Sequence, residues 1–268
     1  MPIQKDFKIK KFKNLLVFLI VFFISSVFAL GKDEYKWREI KSRHFIIYYQ
    51  DAPEGFIDKI KERAEEYYRE IATSLSFGFL EQWTWENRCS IYIYPSQEEY
   101  IKKTGQPEWS SGVAEYDSKT IKSYPLASGF IDTLLPHELT HIIFREYIGK
   151  NNTIPTWFHE GLATYQELAR RWGSKKMVQD AIKENRFITI SQLFNTSLFR
   201  GADRETVGLF YAESSNLVAF LIERFGKEKF KSLCEDLKNG SSFEDAFLDN
   251  YPYKSFKEFE KAWLLYLK

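Results

Sequence analysis

The sequence predicts an α+β fold, with a mixed sheet and helices in the first half of the chain and helices alone in the second. Three observations predict it. Short alternating runs rich in Ile, Tyr and Phe are confined to residues before 125. From Phe130 on, apolar residues recur at helical spacing, punctuated by glycines that end helices. No Pro/Gly/Ser-rich linker separates the two halves, about 33–130 and 150–268, which a helix over 131–149 joins into one unit. At 268 residues the chain can bury one large core or two lobes that share a cleft.

The elements follow in order. Lys5, Lys8, Lys10, Lys11 and Lys13 precede an apolar run from Leu15 to Ile24, then Ser25, Ser26, Val27, Phe28 and Ala29. Residues 1–29 therefore read as a signal peptide: a basic stretch, a short apolar core, and small residues before a cleavage site. The alternative is an uncleaved anchor over 14–30, although Leu15–Leu30 has 16 residues where a spanning helix needs about 20. Either way residues 30–268 are expected outside the cytoplasm, secreted or periplasmic after cleavage, with membrane attachment only if the segment is retained. Cleavage removes five lysines and one aspartate, taking the net charge from +1 to −3. A single apolar segment argues against an intramembrane enzyme. With 38 basic and 37 acidic side chains, nothing suggests nucleic acid as a partner.

Trp37–Gln50 alternates and reads as a strand or hairpin arm, Glu54–Phe77 as a long amphipathic helix, and Cys89–Tyr94 as a second strand closed by Pro95. Ser96 caps a short helix with Glu98 and Glu99 in its first turn. Gly112–Tyr116 and Thr120–Tyr124 form a hairpin around Asp117-Ser118-Lys119. Asp132 is placed to cap the helix over 131–149, which tolerates Pro136 in its first turn and ends at Gly149. Pro155 opens the next helix, where Gly161 and Ala163 leave room for close packing on the preceding one. Further helices are expected over Ser174–Asn185, Glu205–Phe225, Lys227–Lys238, Phe243–Asn250 and Phe256–Leu267. Cys89 and Cys234, the only cysteines, read as two separate buried thiols more readily than as a disulfide.

The helix over 131–149 carries His137-Glu138-Leu139-Thr140-His141. Positions i and i+4 lie about 40° apart around a helix, so both imidazoles project from one face and can share a zinc ion about 2.0–2.1 Å from each. Glu138 lies about 60° further round, beside the metal and not on it, where a general base for an activated water belongs. Leu135, Leu139, Ile142 and Ile143 fall on the opposite side and anchor the helix in a core. Glu160 follows His141 by nineteen positions, within Trp157-Phe158-His159-Glu160-Gly161-Leu162-Ala163.

That combination resembles the gluzincins, zinc metallopeptidases that include thermolysin, aminopeptidase N and small peptidase MA-like proteins. The likeness is strong over 137–165 and weaker over 110–136 and 205–225. It implies a thermolysin-like two-lobed domain with the cleft between its lobes, one zinc per chain held by His137, His141 and Glu160, Glu138 as base, and peptides or proteins as substrates. An electrophilic donor from the helical half is also expected, and Tyr211 is the candidate, against its reading as a core tyrosine; Tyr165, His159 and Tyr116 stand behind it. In one respect the chain departs from thermolysin, which has an acidic residue four positions after its ligand glutamate to orient a zinc histidine. Here that position is Thr164.

His159 points about 100° from Glu160, so it is either a packed histidine or one that supports the site or the substrate. His44 reads as structural. Glu115, in Gly112-Val113-Ala114-Glu115-Tyr116, corresponds to the amine-binding glutamate of aminopeptidase N, though the safer expectation is an edge strand that pairs with an extended peptide. The expected activity is that of an endopeptidase. An aminopeptidase is the alternative, and a zinc-stabilised binding domain without catalysis is a third reading, against which the intact Glu138 counts.

Overall fold

Hydrogen bonds between the short alternating runs assemble one five-stranded sheet in the order β1-β2-β3-β5-β4. The computed structural model describes residues 36–78, 83, 87–150, 152–195 and 202–267, so the expected leader 1–29 and anchor 14–30 lie outside the described residues. Trp37–Lys268 forms one compact unit, separate from Met1–Lys36. Among the described residues no helix is long and apolar enough to cross a membrane.

β1 (Arg38–Lys41) and β2 (Phe45–Tyr49) are the antiparallel arms of the hairpin expected over Trp37–Gln50. A parallel neighbour can be reached only by crossing over, and α1 (Phe56–Ser74) supplies that crossover to β3 (Cys89–Ile93). α2 (Gln97–Thr104) follows, and the Ser96 hydroxyl accepts the Glu99 N–H at 3.3 Å as its cap. β4 (Gly112–Glu115) and β5 (Thr120–Ser123) pair antiparallel, while β5 lies parallel to β3, which leaves β4 on the open edge. Alternation decides what each face does. Phe45, Ile47, Cys89, Ile91, Ile93 and Ile121 are buried and share one apolar core with Ile60, Ala64, Tyr68 and Ile71 of α1.

α3 (Leu135–Ile148) adds Leu135, Leu139, Ile142 and Ile143 to that core, the face assigned to it by the helical wheel. Its start differs from expectation. A π-helical turn, Phe130–Leu134, runs directly into it, and Leu134 is already helical, so Asp132 lies inside the turn and caps nothing. Gly149 (φ 92°) ends α3. The remaining elements are α4 (Thr156–Gln166), α5 (Leu168–Lys183), α6 (Ile190–Leu193), α7 (Arg204–Phe225), α8 (Lys227–Lys238), α9 (Phe243–Asn250) and α10 (Phe256–Leu267). α5 begins six residues before the expected Ser174. The short α6 was not foreseen, although Thr189 and Gln192 form a capping box at its start. Rings fill the helical half: Phe158 packs on Phe230 and Phe243, and Phe247 on Phe256 and Phe259. Cys89 and Cys234 are both buried free thiols. His44 donates nothing to a functional site; its ring and backbone N–H both meet Glu65, at 2.6 and 2.8 Å.

Gly161 requires a correction. An added Cβ would stand 2.4 Å from the carbonyl oxygen of Ser214, so the close approach that this glycine permits is to α7 and not to the preceding helix. Glycine is required here because backbone meets backbone.

One buried acid makes stability pH-dependent. Glu213 on α7 is fully buried, and both its oxygens accept the Ile188 N–H at 3.0 Å. Burial pushes its carboxyl up to about 8 against that hydrogen bond, and Glu260 adds to the rise. An acid whose folded pKa exceeds its unfolded value binds more protons when folded, so from about pH 4.5 to about pH 8 this group costs stability as pH rises. Glu213→Gln keeps an acceptor and cannot ionise. Calorimetry should show its Tm falling less steeply than that of the wild type across this window, and parallel profiles would show that Glu213 does not ionise there.

Candidate metal centre

Three side chains from two helices converge. On α3 the Nε2 atoms of His137 and His141 lie 3.1 Å apart. From α4, Glu160 Oε2 stands 3.4 Å from the first and 3.6 Å from the second. Among the described residues these three form a group able to hold a metal ion. Four ligands at about 2.0–2.1 Å in a tetrahedron are roughly 3.3 Å from one another, so the separations suit zinc without rearrangement.

The donor set demands a cation. His137 Nδ1 lies 2.6 Å from Glu167 Oε1, so that nitrogen carries the proton and Nε2 keeps its lone pair. His141 Nδ1 lies 3.1 Å from Nε2 of His159. Burial and the neighbouring His141 push His159 down to about 2, so it is neutral. His137 therefore turns an unprotonated nitrogen toward the Glu160 carboxylate, an approach that only a proton or a metal relieves. Without a metal, burial opposes a charge on His137, but hydrogen bonds with Glu160 and Glu167 outweigh it and bring the ring up to about 9. Burial likewise works against ionised Glu160, yet the two imidazoles hold its carboxyl well below the usual range.

Glu138 flanks the group. Burial raises its carboxyl and Glu160 adds to this, against the pull of His141 and His137. The Tyr116 hydroxyl, just past β4, donates to Glu138 Oε2 at 3.5 Å, and its ring meets that of His141 edge-on at 5.4 Å. Tyr211 on α7 lies on the other side, its ring 6.4 Å from that of His137. Both phenols adjoin the centre, one from the sheet half and one from the helical half. Tyr165 is buried in the core at the end of α4. Lys122 across the hairpin pairs with Glu115, and Ser118 donates to it at 3.2 Å.

Of the two readings of His159, a packed histidine or one that supports the site or the substrate, its place 3.1 Å behind His141 agrees with the second. Glu167 was missed. It lies seven positions after Glu160, two helical turns further along the same stripe, so the carboxylate that Thr164 fails to provide is present one turn later. Thr164 is buried, and its hydroxyl has no hydrogen-bond partner among the described residues.

Comparison with protein-family models matches residues 83–268 to the Peptidase MA superfamily. Comparison with curated proteins finds no match.

Orienting carboxylates typically change metal affinity by about 10–100-fold. Glu167→Ala should weaken zinc binding by that factor in a competition titration against a chelator, while leaving the stoichiometry at one. Unaltered affinity would show that His137 is oriented without Glu167.

Proposed function

The chain belongs to the Peptidase MA superfamily, and we propose that it is a zinc metallopeptidase of the gluzincin type in which His137, His141 and Glu160 hold the metal and Glu138 is the general base. The observation that carries this reading is the convergence of three ligand atoms, 3.1, 3.4 and 3.6 Å apart, beside the half-buried carboxylate of Glu138. When bound, zinc supplies a Lewis acid and brings the pKa of water toward about 7.

The protein's own groups do the rest. Glu138 takes the proton of the attacking water and delivers it to the leaving amine; its raised pKa brings it nearer to the pH at which both transfers are efficient. Tyr211 approaches from the side of His137 and donates to the oxyanion. Tyr116 is engaged by Glu138 and steadies the base. An extended peptide pairs with the open edge of β4, so that the sheet half and the helical half form the two walls of the cleft. The pairing of Glu115 with Lys122 favours an endopeptidase over an aminopeptidase. Glu138 itself argues against a purely structural zinc site, which has no use for a base and usually has four protein ligands. The basic and apolar N-terminal segment supports an extracytoplasmic location, with or without cleavage of 1–29.

Glu138→Gln retains size but not basicity, so zinc should remain bound while turnover of a mixed peptide library falls at least about 10²-fold; His141→Ala should lose metal and activity together. Activity near wild type in Glu138→Gln would refute the mechanism, and full zinc content in His141→Ala would refute the ligand set.

Tyr211→Phe keeps the ring and removes only the hydroxyl. Loss of one oxyanion donor should lower kcat by about 10²–10³-fold with KM nearly unchanged, and zinc content and Tm should stay as in the wild type. A lowered Tm with kcat preserved would return Tyr211 to the core and leave the donor role to Tyr116.

A further inference from the structure

Turn positions favour Gly, Asn, Asp and Ser, yet two turns of this chain carry large apolar residues at their tips. In the turn over 107–110 the Ser110 N–H donates to the Pro107 carbonyl at 2.9 Å, and Trp109 stands third. In the turn over 124–127 the Ala127 N–H donates to the Tyr124 carbonyl at 3.2 Å, and Leu126 stands third. Trp109 is 85% exposed and Leu126 87%, while the next large apolar side chain among the described residues, Leu265, is 61% exposed. Apolar residues scattered singly over a surface are ordinary. These two share a support. Ser110, Tyr124 and Ala127 beside them are buried, and the Tyr124 hydroxyl donates to the Ser110 carbonyl at 3.4 Å, which ties one turn to the other.

The chain enters the domain at the same end of the sheet. Arg38, Tyr49, Ile93, Ser123 and Gly112 are register partners in one row across the five strands. Trp37 and both turns lead out from that row. A line of rings joins them: Trp37 meets Tyr94 edge-on at 5.3 Å, Tyr94 meets Tyr100 at 6.1 Å, and Tyr100 meets Tyr124 at 5.4 Å. The sequence before Trp37 contains the lysine-rich stretch and the apolar run over 15–24. Twelve residues lie between Ile24 and Trp37, a reach of about 40 Å at full extension. Anything that holds the apolar run in a membrane therefore tethers the domain by this end.

We propose that this end of the domain lies on a lipid bilayer, with Trp109 and Leu126 entering the headgroup region. Tryptophan suits that depth, since its ring is apolar while its indole N–H stays hydrated. A protein partner fits less well. Specific interfaces cover about 800 Å² on each partner with complementary surface, whereas two projecting side chains with buried neighbours offer points and not a face. Fluid lipid closes around points. The contact is apolar and not ionic: near the first turn Lys102 is paired with Glu99, and Glu108 adjoins Trp109. This placement is independent of the catalytic reading and rests on the apolar run being held in the membrane.

Fluorescent labels beside the tips test it without altering the tips themselves. Cys89 and Cys234 are buried, so Glu108→Cys and Ser128→Cys each supply the exposed thiol that a label reaches. Lys41→Cys, at the other end of β1, is the control. Each labelled full-length chain is reconstituted in phosphatidylcholine vesicles, plain or carrying bromine close to the headgroups, where it quenches only neighbouring fluorophores. Brominated lipid should quench the first two labels and spare the third. Adding Trp109→Ser together with Leu126→Ser should abolish that quenching. Absence of quenching beside the tips would overturn the proposal, and energy transfer between labels on different copies would then assign the tips to a second copy of the chain. Equal quenching of all three labels would overturn it as well, because no end of the sheet would be preferred. Quenching that survived the two serine substitutions would show that the tether alone brings this end to the lipid, and the tips would lose their role.

Discussion

Glu160 can face His137 and His141 because α4 lies against α7 with no side chain between them at Gly161. The ligand and the glycine are adjacent, so one point of backbone contact fixes the carboxylate relative to the rest of the helical half. A methyl group at Gly161 would press on the Ser214 carbonyl, and backbone cannot rotate out of the way as a side chain can. Overpacking costs about 1–3 kcal/mol even where neighbours adjust. Here the adjustment would also move a metal ligand. α3, in turn, is held by Leu139, Ile142 and Ile143 in the core that it shares with the sheet and α1. The histidines are thus positioned by one set of packing contacts and the carboxylate by another, and the three candidate ligands converge where the two sets meet.

The electrostatics of that meeting place follow from the tautomers. Glu167 takes the outward nitrogen of His137, so that its inward nitrogen is an acceptor facing the Glu160 carboxylate. Such an arrangement is repulsive as it stands. In the absence of a metal it is relieved by a proton on His137, whose pKa rises to about 9 after burial is overcome by Glu160 and Glu167. A metal ion bound there would take over that role and release the proton, so metal affinity would weaken toward acid pH. The supporting pair is chemically unequal. Glu167 places negative charge behind His137, while the ring behind His141 is the neutral one of His159.

Most of the secondary structure was legible because packing and periodicity agree along this chain. The strands at Phe45–Tyr49 and Cys89–Ile93 alternate strictly, and α7 to α9 end close to where glycine, proline or a polar cap stops the apolar pattern. The misses have physical causes. Asp132 looked like a cap, but the π-helical turn from Phe130 had already satisfied the first amides of α3. α6 is a single turn whose capping box is its only local signal. Gly161 was read as a packing residue correctly and assigned the wrong partner, since sequence shows that a glycine permits close approach and not which helix approaches. His137, Glu138 and His141 could be placed together from spacing because i, i+4 geometry on α3 fixes them, whereas Glu160 was implied by the resemblance to the gluzincins. Glu167 required knowing that α4 stays helical for two full turns after Glu160 before the chain turns away.

Two kinds of helical glycine in this protein show how a missing side chain can serve opposite ends. Gly161 is indispensable because there is no room: its absence of Cβ lets two backbones touch and makes the ligand set rigid. Gly173 and Gly208 are surrounded by room, so packing does not explain them and helix propensity speaks against them. Close backbone contact beside Glu160 and open space at Gly173 and Gly208 thus come from the same missing side chain. The distance available to an added methyl group, 2.4 Å to backbone in the one case and nothing within 4 Å in the other, separates the two roles without reference to what the protein cleaves.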